Sequence, residues 1–271
     1  MITLLREANT MVERVKPQPG KIKPVYPLPQ GQVQSQANDN LAELLSHQIL
    51  SSAAKVEVIA YLLGELSVSS KQIPPAVLST LHSVTRQLRY LGHSALYLGS
   101  TPSSAAQLSF KPVSITGLMD EIIETFRVQA PDRPLVKAYP ANLPAVRGDA
   151  DQLRVVLDNL INNAFKYSPL QSPIILTAEQ CQGLNEKDNG HLLVSVTNFG
   201  SYIPPDEQDK IFRKFYQREE HQQPGQGLGL PLSRRLIELH GGQLEVESSI
   251  ADGTTFWFTV PLANIRDVMG S

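Results

Sequence analysis

The sequence predicts an α+β chain: an antiparallel helical hairpin, paired with a second copy into a dimeric four-helix bundle, followed by a mixed α/β domain. Two observations lead to this fold class. Apolar residues recur every three or four positions from Leu41 to Leu98, and helical and strand-like patterns alternate after residue 106. The 271 residues then divide into an N-terminal segment with a linker (1–39), the hairpin (40–105), the α/β domain (106–265) and a tail (266–271).

Composition and charge indicate which partners and which cellular compartment to expect for this chain. The formal net charge is −2, which gives no electrostatic reason to bind nucleic acid or an anionic membrane surface. No apolar run reaches the roughly 18 to 20 residues that span a bilayer, and the N-terminus lacks the apolar core of a signal peptide. The single cysteine, Cys181, excludes an internal disulfide and fits a reducing compartment. We therefore expect a cytoplasmic protein without membrane insertion.

The first 39 residues hold two kinds of sequence. Residues 1–15 would place six apolar side chains on one face if helical, although a partly ordered tail fits them equally well: Leu4, Leu5, Ala8, Met11, Val12 and Val15. From Lys16 to Asp39 the text is rich in Pro and Gln and has no apolar periodicity, so it reads as an extended linker.

The hairpin is predicted from a heptad repeat. In its second helix the apolar residues step strictly by four and three, which is typical of coiled-coil packing: Val77, Leu81, Val84, Leu88, Leu91, Ala95 and Leu98. The first helix carries a similar stripe, and the prolines of VSSKQIPPA suit a turn between antiparallel helices. A lone hairpin would expose much of its seam, so we expect a homodimer.

The α/β domain is justified element by element. Strands are expected at 108–113, 135–139, near Val146, and at 174–178, 192–197, 242–248 and 254–262, with the pair 174–178 and 192–197 antiparallel. Helices are expected at 117–127, from Asp149 to about Tyr167, and at 231–240. Asp149 and Gln152 form a candidate capping box at the start of the second of these helices.

Two motifs in this domain point to a phosphorylated ligand. Asn159, Asn163 and Lys166 recur at spacings of four and three and so share one helical face, which suits a hydrated Mg²⁺ and phosphate oxygens. The plain alternative is a solvated polar face. The stretch GQGLGL places Gly225, Gly227 and Gly229 directly before a helix, where backbone N–H groups can approach a phosphate. An ordinary loop is the alternative there.

Taken together and in order, four stretches resemble the nucleotide-binding motifs of the histidine protein kinases: NLINNAFKYS, IFRKFYQ, GQGLGLPLSRRLIELHGG and GTTFWFTVPL. The resemblance covers about Phe110 to Ala263. It implies an α/β-sandwich ATP-binding domain with a mixed sheet, shared with gyrase, mismatch-repair and heat-shock-chaperone ATPases. It also implies that Asn163 is the Mg²⁺ ligand, with Asn159 nearby, and that the lid spans about Gln217 to Gln226. The other cofactor-binding residues it implies are Lys166, Tyr167, Asn198, Gly200, Ile203, Phe212, Phe215, Gly225, Gly227, Leu228, Gly229, Leu230 and Thr254.

One loop departs from the family pattern. Similar kinases have Asp-x-Gly-x-Gly where this chain has Asn198-Phe-Gly200-Ser-Tyr202. The Asn198 oxygen can still accept a hydrogen bond from the adenine amino group, but as a neutral acceptor. The loss of about 1 kcal/mol would weaken binding roughly fivefold to tenfold. Tyr202 replaces a glycine and could crowd the base or restrict φ.

The phosphoacceptor is predicted at His47. It lies on the first hairpin helix about 120° from the centre of the apolar stripe, and LLSHQILSS resembles the family's histidine box. An unremarkable surface histidine is the alternative. Gln48 stands where relatives have an acid and cannot accept a proton, whereas Ser51 holds the place of a residue that positions water.

Two hypotheses follow. In the first, the chain is a soluble histidine kinase that autophosphorylates on His47 from ATP with Mg²⁺ and passes the phosphoryl group to a response-regulator receiver domain. In the second, it is a degenerate kinase that acts as a regulator phosphatase, phosphotransfer protein or scaffold without ATP-dependent autophosphorylation. No stretch resembles a sensor domain. The signal could arrive through a separate sensory protein that docks on residues 1–15 or on the bundle, or regulation could lie elsewhere.

Overall fold

The chain divides into two compact units in this computed structural model, Pro27–Gln107 and a second unit that joins Met1–Tyr26 to Leu108–Ser271. The structure describes residues 109–182, 190–218 and 227–263, together with five helical positions of the first unit: Val56, Val84, Thr85, Leu88 and Gly92. Apart from these five positions, the predicted hairpin and its dimer lie outside the described residues and stay predictions. The same holds for His47, Gln48, Ser51 and Gly225.

The second unit alternates short strands with helices. Its strands are β1 (Lys111–Val113), β2 (Leu135–Ala138), β3 (Val146–Gly148), β4 (Ile174–Cys181), β5 (His191–Asn198), β6 (Leu244–Ser249) and β7 (Gly253–Pro261). Its helices are α1 (Ile115–Gln129), α2 (Ala150–Tyr167), α3 (Pro205–Gln208) and α4 (Gly229–Leu239), with a 3-10 turn at Lys210–Phe212. Within the part of the chain that the structure describes, no helix has the length and apolar character to cross a membrane.

The strands form a mixed sheet, as predicted. Five strands follow the order β2-β4-β5-β7-β6; β2 and β4 run parallel, and every other neighbouring pair is antiparallel. β1 and β3 pair separately as a two-stranded ribbon. β4 extends beyond the predicted Ala178 to Cys181 because its pairing with β5 continues as far as His191. The predicted strand at 108–113 is shorter, since only three residues of β1 find partners in β3.

One face of the sheet is continuously apolar. Leu176, Val196, Phe256 and Val246 lie side by side across four strands in register, and all four are buried. The 3-10 turn packs there, because the ring of Phe212 meets Phe256 edge-on at 6.4 Å between centroids. α2 contacts α1, α4 and β5, so the three long helices form one layer on the sheet.

Side chains fix both ends of α2, the helix that carries the asparagine motif. At its start, Asp149 Oδ1 accepts hydrogen bonds from the backbone N–H groups of Asp151 and Gln152, at 3.1 and 3.2 Å. At its end, the buried Arg133 guanidinium donates to the carbonyl oxygens of Phe165 and Ser168. A cation at this position also opposes the negative end of the helix dipole. The register of α2 relative to the sheet is therefore held at both termini.

Candidate functional site

The polar face predicted from the asparagine spacing lies on α2. Asn159, Asn163 and Lys166 are all partly buried. The side chain of Asn163 makes no hydrogen bond to any residue that the structure describes. Lys166 places its Nζ 4.7 Å from the centroid of the Tyr167 ring, a cation–π contact at the end of the helix. The face thus offers a carboxamide that is not hydrogen-bonded to any described residue, on the same helical face as a lysine.

The glycine-rich start of α4 rests directly on this face. A Cβ added to Gly229 would lie 2.4 Å from Asn159 Oδ1, so no other residue fits there without displacing the amide. Asn159 Nδ2 in turn donates to the buried Ser233 Oγ of α4 at 2.8 Å. The two motifs that sequence spacing singled out are therefore in contact with each other.

The backbone donors in the first turn of α4 are not occupied by the side chain of the N-cap residue. Its N-cap residue, Leu228, makes no side-chain capping hydrogen bond, and no acidic residue lies in the first turn. The first N–H groups of a helix have no intrahelical acceptor and favour an anion such as phosphate. The helix begins at Gly229 and not at the predicted Pro231, because proline is tolerated within a first turn.

The loop after β5 presents a buried amide with an unused donor. Asn198 is only 3% exposed, and its Nδ2 has no hydrogen-bond partner in the structure as described. A buried donor of this kind costs about 1 to 3 kcal/mol unless something else satisfies it. Thr254 lies opposite Asn198 in the β5–β7 register and donates its hydroxyl to the carbonyl oxygen of Ser201. The unpaired Nδ2 of Asn198 is therefore a candidate donor to a bound ligand.

Gly200 anchors the same loop to the end of α2. A Cβ at Gly200 would lie 1.7 Å from the carbonyl oxygen of Tyr167, and the neighbouring Ser201 N–H donates to that oxygen at 3.0 Å. The loop and the C-terminal end of α2 thus hold each other in place. Only a glycine allows the backbones to approach this closely.

Tyr202 fits the loop without backbone strain. Among non-glycine residues that the structure describes, Phe215 is the one with positive φ, so the concern that Tyr202 restricts φ was wrong. The Tyr202 carbonyl oxygen accepts from Arg218 at 2.7 Å, and the next residue, Ile203, is buried and donates its N–H to Ser248 Oγ. The side chain of Tyr202 is half-buried beside the loop.

The two ends of the predicted lid are joined at its base. Phe215 N–H donates to the Gly227 carbonyl oxygen at 2.9 Å, and both residues adopt positive φ, 66° and 64°. Phe212 packs under the Arg234 guanidinium, whose Cζ lies 3.5 Å from the ring centroid. Leu228 is buried and Leu230 partly buried beside them. Residues 219–226 of the lid lie outside the described ranges.

Sequence reasoning missed a buried histidine that connects the two site helices. His240 Nε2 accepts from the Asp149 N–H at the start of α2, and its Nδ1 donates to the Leu236 carbonyl oxygen of α4 at 2.7 Å. These roles define a neutral imidazole, and burial lowers its pKa below the usual value of 6.5. No local signal reveals this role, since Asp149 lies 91 positions earlier in the chain.

Residues 148–264 match the family of histidine kinase-, DNA gyrase B- and HSP90-like ATPases. The matched range contains α2, the Asn198 loop and the glycine-rich start of α4, which are the parts that meet at the site. The chain therefore carries an ATPase domain of this family.

Individual relatives narrow the assignment. Over 238 residues the chain is 30% identical to the adaptive-response sensory kinase SasA of Synechocystis sp. (strain ATCC 27184 / PCC 6803 / Kazusa), a match of 84% of this chain and 60% of that protein. The solved mycobacterial sensor histidine kinase MprB is 26% identical, with a TM-score of 0.50 over 58% of this chain and 100% of the other. Full-length ShkA in complex with AMPPNP is 25% identical, with a TM-score of 0.56 over 86% and 47%. The ATPase domain is thus similar to those of proteins named as sensory and sensor histidine kinases, and the chain spans about 60% of the length of SasA.

Proposed function

We propose that the chain is a homodimeric histidine kinase that phosphorylates itself on His47 with ATP and Mg²⁺. It then transfers the phosphoryl group to an aspartate of a response-regulator receiver domain. The observation that carries the proposal is the convergence of the α2 amide face, the uncapped start of α4 and the unpaired amide of Asn198. Similarity to proteins named as kinases favours this function over a degenerate one. A separate sensory protein would supply the signal.

Asn198 would recognise the adenine base. The Watson–Crick edge of adenine carries an amino donor next to the ring acceptor N1. The Asn198 amide can accept from the former through Oδ1 and donate to the latter through Nδ2, which has no described partner. A carboxylate could only accept. The second hydrogen bond would offset the charge assistance lost with the carboxylate, so we expect little of the fivefold to tenfold weakening inferred from sequence alone.

Asn163 fits the metal. Amide oxygens are hard ligands, Mg²⁺ keeps several of its waters, and the partly buried Asn163 side chain has no hydrogen-bonding commitment within the described residues. The ion would neutralise charge on the phosphate oxygens. Lys166 would add a second positive charge on the same face, and the free N–H groups at the start of α4 would bind the phosphates. Asn159, which holds Ser233, would keep the two helices in register.

The chemical step is a phosphoryl transfer between ATP and His47. A ring nitrogen of His47 forms a bond to the γ-phosphorus while the bond from that phosphorus to the β,γ-bridging oxygen breaks, and ADP leaves. The proton on the other ring nitrogen must go to water, because Gln48 cannot accept it. Ser51 would position the water that later dephosphorylates the regulator.

The test is incubation of the full chain with γ-labelled ATP and Mg²⁺. We expect acid-labile, base-stable label on the wild type and none on His47→Ala. His82→Ala is the matched control, since it removes a histidine of the other hairpin helix, and it should label like the wild type. Label that persists in His47→Ala would overturn the assignment. Absence of label from folded, ATP-binding wild type would favour a phosphatase, phosphotransfer or scaffold role.

A further inference from the structure

The sheet has a second face, which we call the outer face. Side chains alternate along strands, so the neighbours of the apolar residues described above point the opposite way. In register across three strands, Thr177, Ser195 and Trp257 form one row of this face. Alternation and register place on the outer face Ile175, Thr177, Glu179 and Cys181 of β4, Leu193, Ser195 and Thr197 of β5, Thr255, Trp257 and Thr259 of β7, and Glu245 and Glu247 of β6. The three glutamates are partly exposed, and the other nine residues are buried.

This face is covered. Trp257 is 3% exposed, Leu193 is 2% exposed, and Ser195 and Thr197 are fully buried. An indole on an open sheet face would leave one side of its ring in water. The three long helices form a single layer and so cover only the opposite face. Among described residues outside the strands, Phe199 packs against Ile175 at one end of the outer face, which leaves the burial of Trp257 unexplained.

The buried part of the outer face requires a mainly apolar covering segment. The hydroxyl groups of the outer face bond to one another across the strands, Thr177 to Ser195 at 2.6 Å and Thr197 to Thr255 at 2.8 Å. Trp257 Nε1 is buried and has no hydrogen-bond partner among the described residues. Trp257, Leu193 and Cys181 form a separate apolar cluster. The buried part of the outer face therefore requires a mainly apolar cover, which could also accept one hydrogen bond from the Trp257 indole.

We propose that residues 1–15 form an amphipathic helix that lies across the outer face of the chain's own sheet. Met1–Tyr26 belongs to the same compact unit as Leu108–Ser271. At about 100° per residue, the apolar side chains of 4–15 fall within an arc of roughly 120°, and every polar side chain of the segment falls outside it. The apolar set is Leu4, Leu5, Ala8, Met11, Val12 and Val15, and the polar set Arg6, Glu7, Asn9, Thr10, Glu13 and Arg14.

Length and composition select this segment over others of the unit. Fifteen helical residues span about 22 Å, close to the roughly 19 Å width of five strands. Residues 183–189 and 219–226 are almost entirely polar, and 264–271 would span only about 12 Å as a helix. A separate sensory protein that bound residues 1–15 would have to displace them from the sheet.

The chain contains two native probes of the outer face, because Trp257 and Cys181 are its only tryptophan and its only cysteine. The decisive variant of the full chain is Ala8→Glu, which puts a charge at the centre of the apolar arc. Thr10→Glu is the matched control, with the same charge on the opposite side of the helix. The readouts are Trp257 emission, its quenching by acrylamide, and the rate at which Cys181 reacts with an aromatic disulfide reagent.

We expect Ala8→Glu to shift Trp257 emission to the red, increase quenching and speed the Cys181 reaction roughly tenfold or more. Thr10→Glu should behave like the wild type. In a variant lacking residues 1–15, a synthetic peptide of that sequence should restore protection. The proposal would be overturned if Trp257 and Cys181 were equally protected in the wild type, in Ala8→Glu and in the deletion variant. It would also be overturned if Thr10→Glu exposed them as much as Ala8→Glu does. Protection that disappears on dilution would assign the cover to a second copy, against the intrachain form. None of these readouts depends on kinase activity.

Discussion

Replacing Gly229 by alanine should destabilise the ATPase domain, although alanine favours helices. Taken alone, the change at the start of α4 would stabilise a helix by up to about 1 kcal/mol. The added Cβ would meet Asn159 Oδ1 at 2.4 Å, however, and displacing the amide endangers its hydrogen bond to Ser233. Overpacking of this kind costs about 1 to 3 kcal/mol, so we expect a net loss of about 1 kcal/mol.

A double-mutant cycle isolates the cause. Asn159→Ala alone should destabilise by about 1 to 3 kcal/mol, because it leaves the buried Ser233 hydroxyl without its donor. In that background the clash is gone, so Gly229→Ala should change sign and become neutral or stabilising. The two substitutions should therefore couple by about 1 to 2 kcal/mol.

Urea unfolding of the full chain measures these values. Trp257 is the only tryptophan and lies in β7, so its fluorescence follows this domain without interference from the hairpin. The midpoint should move while the m-value stays constant. If Gly229→Ala has the same effect with and without the Asn159 side chain, the steric argument for contact between the two motifs is wrong.

Three further predictions concern the same site. Burial lowers the pKa of His240, so below about pH 6.5 the unfolded chain binds more protons than the folded one. The free energy of unfolding should therefore decrease as the pH is lowered, by at most about 1.4 kcal/mol per pH unit from this group. Urea titrations at several pH values should show a flatter profile for His240→Gln, and an identical profile would contradict the buried neutral imidazole. Asn198→Ala should weaken Mg²⁺-ATP binding roughly tenfold by calorimetry, through the loss of two hydrogen bonds; unchanged affinity would remove Asn198 from the base site. Gly200→Ala should cost about 3 kcal/mol because its Cβ would meet the Tyr167 carbonyl oxygen, whereas Gly117→Ala, which meets only Ser114 at 3.3 Å, should be tolerated; equal thermal midpoints for the two variants would refute the close contact.

Much of the domain could be predicted because its signals are local. Asp149 caps α2 as the sequence indicated, through an interaction that spans three residues. The other half of the predicted capping box was wrong, because the Asp149 N–H donates to His240 Nε2 and not to Gln152. The central strands could be located because apolar residues recur at every second position of the face that meets the helices, as Leu192, Val194 and Val196 do in β5. The asparagine spacing likewise predicts one helical face, since 3.6 residues per turn brings positions 159, 163 and 166 together.

The remainder depends on contacts between distant residues. His240 becomes a link between α2 and α4 only because the fold brings its ring to the Asp149 N–H. Phe215 adopts φ of 66°, which no propensity for phenylalanine suggests, and the hydrogen bond to Gly227 accompanies it. Burial of the outer face was also invisible, because alternating Thr and Ser in β4 and β5 resemble a solvent-facing pattern.

The two main departures from the family pattern, Asn198 and Gln48, should affect activity differently. Asn198 keeps a buried donor unsatisfied, and a pocket that no longer bound a base would gain about 1 to 3 kcal/mol by pairing or replacing it. Gly200 and Gly229 likewise stand where any side chain would collide, so the space around the site is intact. Gln48, in contrast, changes the group that could accept a proton from His47. If the chain binds ATP but takes no label, the defect should therefore lie beside His47 and not in the pocket, and Gln48→Glu should restore labelling where Asn198→Asp does not.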